Sequence, residues 1–157
     1  MIDDNFIPLL LVGLAYFRWR GPRTLGKGED KGVAPSRTQS YFASVDAKDM
    51  AATLACFHDE ALFTIQTSFT THAGKAEIER MLTDFFGAYE TIVHRDFTCT
   101  VDEANGRITA SFTAELHDAA GQVTLLENTN FWRLRPGPEG PKFQEVYVYM
   151  SGANVLV

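Results

Sequence analysis

From Thr91 onward the chain reads as four strand-forming stretches in a row, 91–102, 107–117, 122–134 and 142–151. Only Glu103-Ala104-Asn105-Gly106, Asp118-Ala119-Ala120-Gly121 and the Pro/Gly-rich stretch 136–141 separate them. Strands this long with turns this short leave no room for parallel crossovers, so neighbours must pair antiparallel. A sheet of such strands twists and curls, and its hollow face needs a cover. Just upstream the period changes: Ile78, Met81, Leu82, Phe85 and Tyr89 fall on one helical face about three turns long. The predicted architecture is α+β, with helices packed on one strongly curved sheet.

Two more helices are expected before that one. Ser36-Arg37-Thr38-Gln39 has the spacing of a capping box, which predicts a helix starting at Arg37 or Thr38 with Tyr41, Phe42 and Val45 as its apolar stripe. Asp46-Ala47-Lys48-Asp49 interrupts it, and a short helix with Met50, Leu54 and Phe57 follows, Asp49 standing at its positive end. Residues 61–71 are rich in β-branched and aromatic side chains and read as one or two short strands. Asp59 and Glu60 read as a turn before them, and His72 as an ordinary loop histidine.

Length and charge narrow the partners. The 157 residues suit a single domain with a real core, and a formal charge of −6 repels phosphate backbones and anionic membranes. Nucleic acid is therefore an unexpected partner, as is a membrane. Cys56 and Cys99 form no metal-ligand or redox motif and read as reduced, buried thiols, which fits a cytoplasmic protein. Residues 1–37 differ in character, with six Lys/Arg against four Asp/Glu. The apolar run from Phe6 to Phe17 is 12 residues long, short of the roughly 20 needed to span a bilayer. Acidic residues precede it and basic ones follow, the wrong order for a secretory signal. It reads as an added helix packing on the domain or a partner, joined by a linker over residues 21–35, so the expected division is 1–37 and 38–157.

Four stretches stand out together: Tyr41-Phe42-Ala43-Ser44-Val45-Asp46-Ala47-Lys48-Asp49, Phe57-His58-Asp59-Glu60-Ala61, Gly74-Lys75-Ala76-Glu77-Ile78 and Asn130-Phe131-Trp132-Arg133-Leu134. They resemble the nuclear transport factor 2-like superfamily, which includes ketosteroid isomerases, SnoaL-like polyketide cyclases and scytalone dehydratase. The resemblance implies a cone: three helices on a curved, mixed, mainly antiparallel sheet enclosing a pocket. It explains an oddity of the third long strand, where Glu127-Asn128-Thr129-Asn130 interrupts an apolar and aromatic run. In such a cone Leu126, Asn128, Asn130, Trp132 and Leu134 share the inner face, and a ligand or pocket water meets the amides that burial would otherwise leave unpaired.

By the same resemblance Tyr41 matches the tyrosine with which the isomerases hold an enolate oxygen, and Asn130 or Thr129 stands where they carry a protonated acid. Their carboxylate base falls on Ile65. Thr91-Ile92-Val93-His94 is similar to the start of a strand that bears a histidine in scytalone dehydratase, so Tyr41, His94 and Asn130 are the expected catalytic residues. Phe63, Ile65, Asn128, Trp132 and Met150 are expected to contact substrate. Phe97, Cys99 and Val101 alternate as an apolar face, which turns His94 outward unless a bulge intervenes. Glu115 and His117 fall on the outer face, and Glu127 reads as an outer salt-bridge residue. Tyr147 and Tyr149 are the expected contacts of a homodimer through the outer sheet face.

The implied function is an isomerase, cyclase or dehydratase of an apolar oxygenated small molecule, of polyketide or terpenoid class, needing no cofactor or metal. A non-catalytic ligand-binding or dimerisation module is the alternative.

Overall fold

The computed structural model describes residues 16–19 and 33–156. Three helices, α1 (Val33–Asp46), α2 (Met50–Ala55) and α3 (Lys75–Ala88), pack on one sheet. Its seven strands are β1 (Tyr16–Trp19), β2 (Phe57–Ile65), β3 (Thr70–Ala73), β4 (Thr91–Asp102), β5 (Arg107–His117), β6 (Val123–Arg135) and β7 (Lys142–Met150). They are ordered β1-β4-β5-β6-β7-β2-β3, every pair antiparallel except β2–β7. The α+β expectation of three helices on a curved mixed sheet holds. The sheet curls around the helices and stays open, its edge strands β1 and β3 not pairing with each other.

Each helix is where its sequence puts an apolar stripe, but the ends differ from expectation. α1 begins at Val33 rather than at Arg37 or Thr38, so no capping box forms at Ser36, and the buried Gln39 Nε2 has no partner. The predicted stripe is nevertheless the one that packs: Tyr41, Phe42 and Val45 are buried. Asp49 does cap α2, its carboxylate accepting the Ala52 amide at 2.9 Å. Thr53 of α2 then donates to Ser44 of α1 at 2.9 Å, which locks the two helices together inside the core. At α3, Glu77 reaches back to accept the Ala73 amide at 2.7 Å, while Gly74 turns the chain with φ +78°.

Strand extents also differ. β2 starts at Phe57, so this residue ends no helix, and His58, Asp59 and Glu60 are an irregular part of the strand rather than a turn. His72 belongs to β3, not to a loop. A register shift between β6 and β7 leaves Gln144 over and turns Phe143 inward beside Val146, Val148 and Met150, against the simple alternation. The helix expected of residues 6–17 lies mainly outside the described residues, and its last two, Tyr16 and Phe17, are strand: β1 pairs with β4, Trp19 opposite Phe97.

The core is aromatic. Phe42 sits at its centre, with ring centroids 4.7 Å from Phe97, 4.7 Å from Phe112 and 5.8 Å from Trp132. Truncating such a ring to alanine costs about 3–5 kcal/mol. α1 lies over β4 and β5 and α3 over β2 and β3, which leaves a hollow between the helices above the middle strands.

Candidate active site

Strand β4 decides what that hollow contains. Arg95 pairs with Thr113 and Thr98 with Ser111, so Asp96 and Phe97 together face the single residue Phe112. This one-residue bulge, with Asp96 at φ +57°, changes the parity of the strand. Upstream Ile92 and His94 point inward, and downstream Phe97 and Cys99 do. The bulge that the alternation of Phe97, Cys99 and Val101 left open is present, and His94 faces the cavity, 7% exposed.

One carboxylate holds the ring in place. Asp46, on the last turn of α1, accepts from His94 Nδ1 at 2.5 Å through Oδ1 and from the His94 amide at 3.2 Å through Oδ2. Nε2 is then the ring nitrogen left to the cavity. Phe42, one turn before Asp46, packs on the imidazole at 4.8 Å between centroids, and Phe112 does so at 5.4 Å.

Tyr41, Phe63, His94, Asn128, Asn130 and Met150 line this one cavity together. Ile65 and Trp132 do not line it: Ile65 is fully buried in the core, and Trp132 packs between Phe42 and Phe143. Asn128 and Asn130 are 7% and 4% exposed, and the Oδ1 of each lacks a hydrogen-bond donor. Two carboxamides without partners in an apolar wall are costly, at about 1–3 kcal/mol for each unmet group. Burial, with smaller contributions from Cys56 and Asp46, drives the Tyr41 phenol far above its ordinary value, so it stays a neutral hydrogen-bond donor.

The remaining wall is apolar. Val45, Leu82 and Phe85 come from the helices, Ala114, Leu116 and Val148 from the sheet, and Val155 and Leu156 from beyond β7. Among the described residues no lysine or arginine lines the cavity. Its interior leaves about 40 Å³ to the centres of water molecules. Widened on every side by the roughly 1.4 Å radius of a water molecule, that space is near the bulk of one six-membered ring.

Asp46 went unread in the sequence because it looked like a helix end. The signal was there: Phe42 and Asp46 are four apart, on one helix face. The residues after β7 gave no comparable signal, since no periodicity predicts where a short irregular segment folds back.

The outer face is divided. At the β4–β5 end Glu115 accepts from His117 at 2.8 Å and from Arg95 at 3.2 Å, and these two hydrogen bonds hold its carboxyl below the usual range. Glu127 makes no salt bridge and instead accepts the Thr113 hydroxyl at 2.9 Å. At the β6–β7 end Phe131 and Tyr149 are 43% and 47% exposed and meet edge to face at 5.7 Å.

Among the described residues no group of three His, Cys, Asp or Glu could hold a metal ion, and no helix is long and apolar enough to cross a membrane.

A family model described as a SnoaL-like domain matches residues 38–138. No curated protein matches the chain. Among solved structures, a proposed aromatic ring hydroxylase of Novosphingobium aromaticivorans superposes with a TM-score of 0.67 at 20% identity, over 76% of this chain and 87% of its own. A proposed polyketide cyclase of Xanthomonas campestris gives 0.65 at 22%, over 74% and 88%. A ketosteroid isomerase-like protein of Erwinia carotovora gives 0.59 at 15%, over 77% and 95%. At these identities the likeness is one of fold.

Proposed function

Because the chain belongs to the SnoaL-like domain family, we propose that it catalyses proton transfer on a neutral, apolar, oxygenated small molecule, as an isomerase, cyclase or dehydratase. One observation carries this reading: the imidazole of His94 stands at the wall of an apolar cavity with its Nδ1 2.5 Å from Asp46 Oδ1. The carboxylate fixes the ring and its tautomer, which presents the Nε2 lone pair to a bound molecule. Nε2 takes a proton from carbon beside a ligand carbonyl, and Asp46 stabilises the imidazolium that results. The Tyr41 hydroxyl and the Asn130 amide donate to the oxygen on which negative charge develops. Return of the proton to another carbon completes an isomerisation, return to a departing hydroxyl completes a dehydration, and attack of the enolate on a second carbonyl closes a ring.

The ligand is neutral because the cavity wall supplies no cation to hold a carboxylate or phosphate. It carries a hydrogen-bond donor such as a hydroxyl, because the Oδ1 atoms of Asn128 and Asn130 need one. Phe63 and Met150 contribute apolar wall. The enzyme works in the cytoplasm, where its free thiols Cys56 and Cys99 stay reduced, and pairs with a second copy through the outer β6–β7 face. Residues 38–157 form the catalytic domain.

The test is exchange of the α-hydrogens of cyclohex-3-enone for deuterium, followed by NMR. His94→Gln should slow exchange by about 100-fold or more, the usual contribution of a positioned acid–base group, with melting temperature unchanged. Asp46→Asn should slow it too and displace the pH profile, since the ring loses its anchor. Wild-type rates in His94→Gln sink the role. The competing reading, a non-catalytic binding module, is favoured by Ile65, an alkyl side chain where the related isomerases keep their base. Binding of cyclohex-3-enone without exchange would select it.

A further inference from the structure

Among the described residues, all the lining side chains but two stand on a helix or a strand; the exceptions are Val155 and Leu156. Residues 151–156 turn back over the cavity after β7. Ser151 fastens the turn to β6, its amide donating to the Glu127 carbonyl at 3.1 Å and its hydroxyl accepting the Glu127 amide at 2.9 Å. Gly152 follows at a point where a Cβ would stand 2.8 Å from Leu126 Cδ2, so the missing side chain lets the backbone pass close.

Asn154 then acts as a clip. Its Oδ1 accepts the Leu156 amide at 2.9 Å, and its Nδ2 donates to the Leu156 carbonyl at 3.1 Å and to the Ser68 hydroxyl at 3.1 Å. Ser68 belongs to the turn between β2 and β3, so one carboxamide ties the segment to that turn, whose Thr67 accepts the Met150 amide at the end of β7. The clip presses Leu156 into the wall, 9% exposed. Sheet ladders and helix packing hold the rest of the wall, whereas this part is held by the packing of Val155 and Leu156 on the core and by the hydrogen bonds of Ser151 and Asn154, each worth only about 1 kcal/mol.

We propose that residues 152–156 are a strap that determines the largest ligand the cavity admits. Clipped, it limits the site to a neutral molecule of one six-membered ring; released, it gives room for fused rings. The inference rests on the reading of this cavity as the ligand site.

The experiment compares phenol and 2-naphthol binding to wild type, Asn154→Ala and Leu156→Ala by calorimetry, with hydrogen exchange at the Leu156 amide as the readout of the clip. Wild type should prefer phenol by at least about tenfold, or 1.4 kcal/mol. Asn154→Ala should speed exchange at Leu156 and abolish the preference. Leu156→Ala, which shortens the wall without touching the clip, should abolish it too. Faster exchange in Asn154→Ala with the preference intact overturns the strap, as does a wild type that prefers 2-naphthol. If neither compound binds any of the three proteins, the ligand-site reading fails and the strap falls with it. Loss of deuterium exchange in His94→Gln is independent of all these outcomes.

Discussion

A single side chain takes its character here from what surrounds it. Cys99, read in the sequence as a reduced, buried thiol, lies against the core, and burial pushes its thiol up to about 11 from an ordinary value of 9.0. Cys56 and Tyr41 move the same way, burial being the largest cause in each. Each is neutral when protonated, so the fold favours the protonated form. Below pH 9 both folded and unfolded chains keep these protons, and stability is unaffected by them. Between about pH 9 and 11 the unfolded chain loses its thiol protons first, and stability falls as pH rises. Urea unfolding at intervals from pH 8 to 11 should show that decline, shallower in Cys99→Ala; an equally steep decline in the variant would refute the assignment. The sequence identified Tyr41, His94, Asn128 and Asn130 as groups that meet, and they do. It missed Asp46, because a carboxylate near a helix end looks like ordinary capping chemistry until the fold brings strand β4 beside it. It placed Ile65 and Trp132 at the cavity, where strand parity alone cannot distinguish a pocket wall from the packed layer next to it.

Whole elements were easier to read than their interruptions. Six of the seven strands and all three helices follow from alternation, from the period of 3.6 and from Gly- and Pro-rich turns. The exception, β1, is four residues long and straddles the end of an apolar run that carries no alternation. The bulges were not legible, because an extra residue in a strand leaves no mark on composition. Yet the β4 bulge determines where His94 points. Asp96 occupies a left-handed conformation that costs most L-residues roughly 1–2 kcal/mol and Asp or Asn less. Asp96→Val should therefore destabilise the protein by about 1–2 kcal/mol and lower ligand-site activity with it, while Asp96→Gly should stay within about 0.5 kcal/mol. Chemical denaturation of the pair measures this. Equal losses in the two would mean that the Arg95–Asp96 ion pair, rather than backbone geometry, holds the bulge.

At the scale of the molecule, the sheet has a closed face and, among the described residues, a bare one. Its inner face is covered by helices, whereas Phe131, Tyr149, Leu125 and Val123 remain exposed. A second copy laid on Phe131 and Tyr149 would bury both rings, and sedimentation should give about twice the 17.5 kDa of one chain. Phe131→Glu should weaken that association by about 2 kcal/mol or more, as loss of a central aromatic anchor does. A wild-type protein sedimenting as one chain would remove the homodimer. Strand β6 belongs to both faces at once, Asn128, Asn130 and Trp132 turned in and Glu127, Thr129 and Phe131 turned out. In genetic terms the strand writes two surfaces on alternate codons, one turned to the cavity side and its neighbour to the outside. A slip of one residue in its pairing would exchange the two sets together, so an insertion or deletion in this strand alters both faces at once.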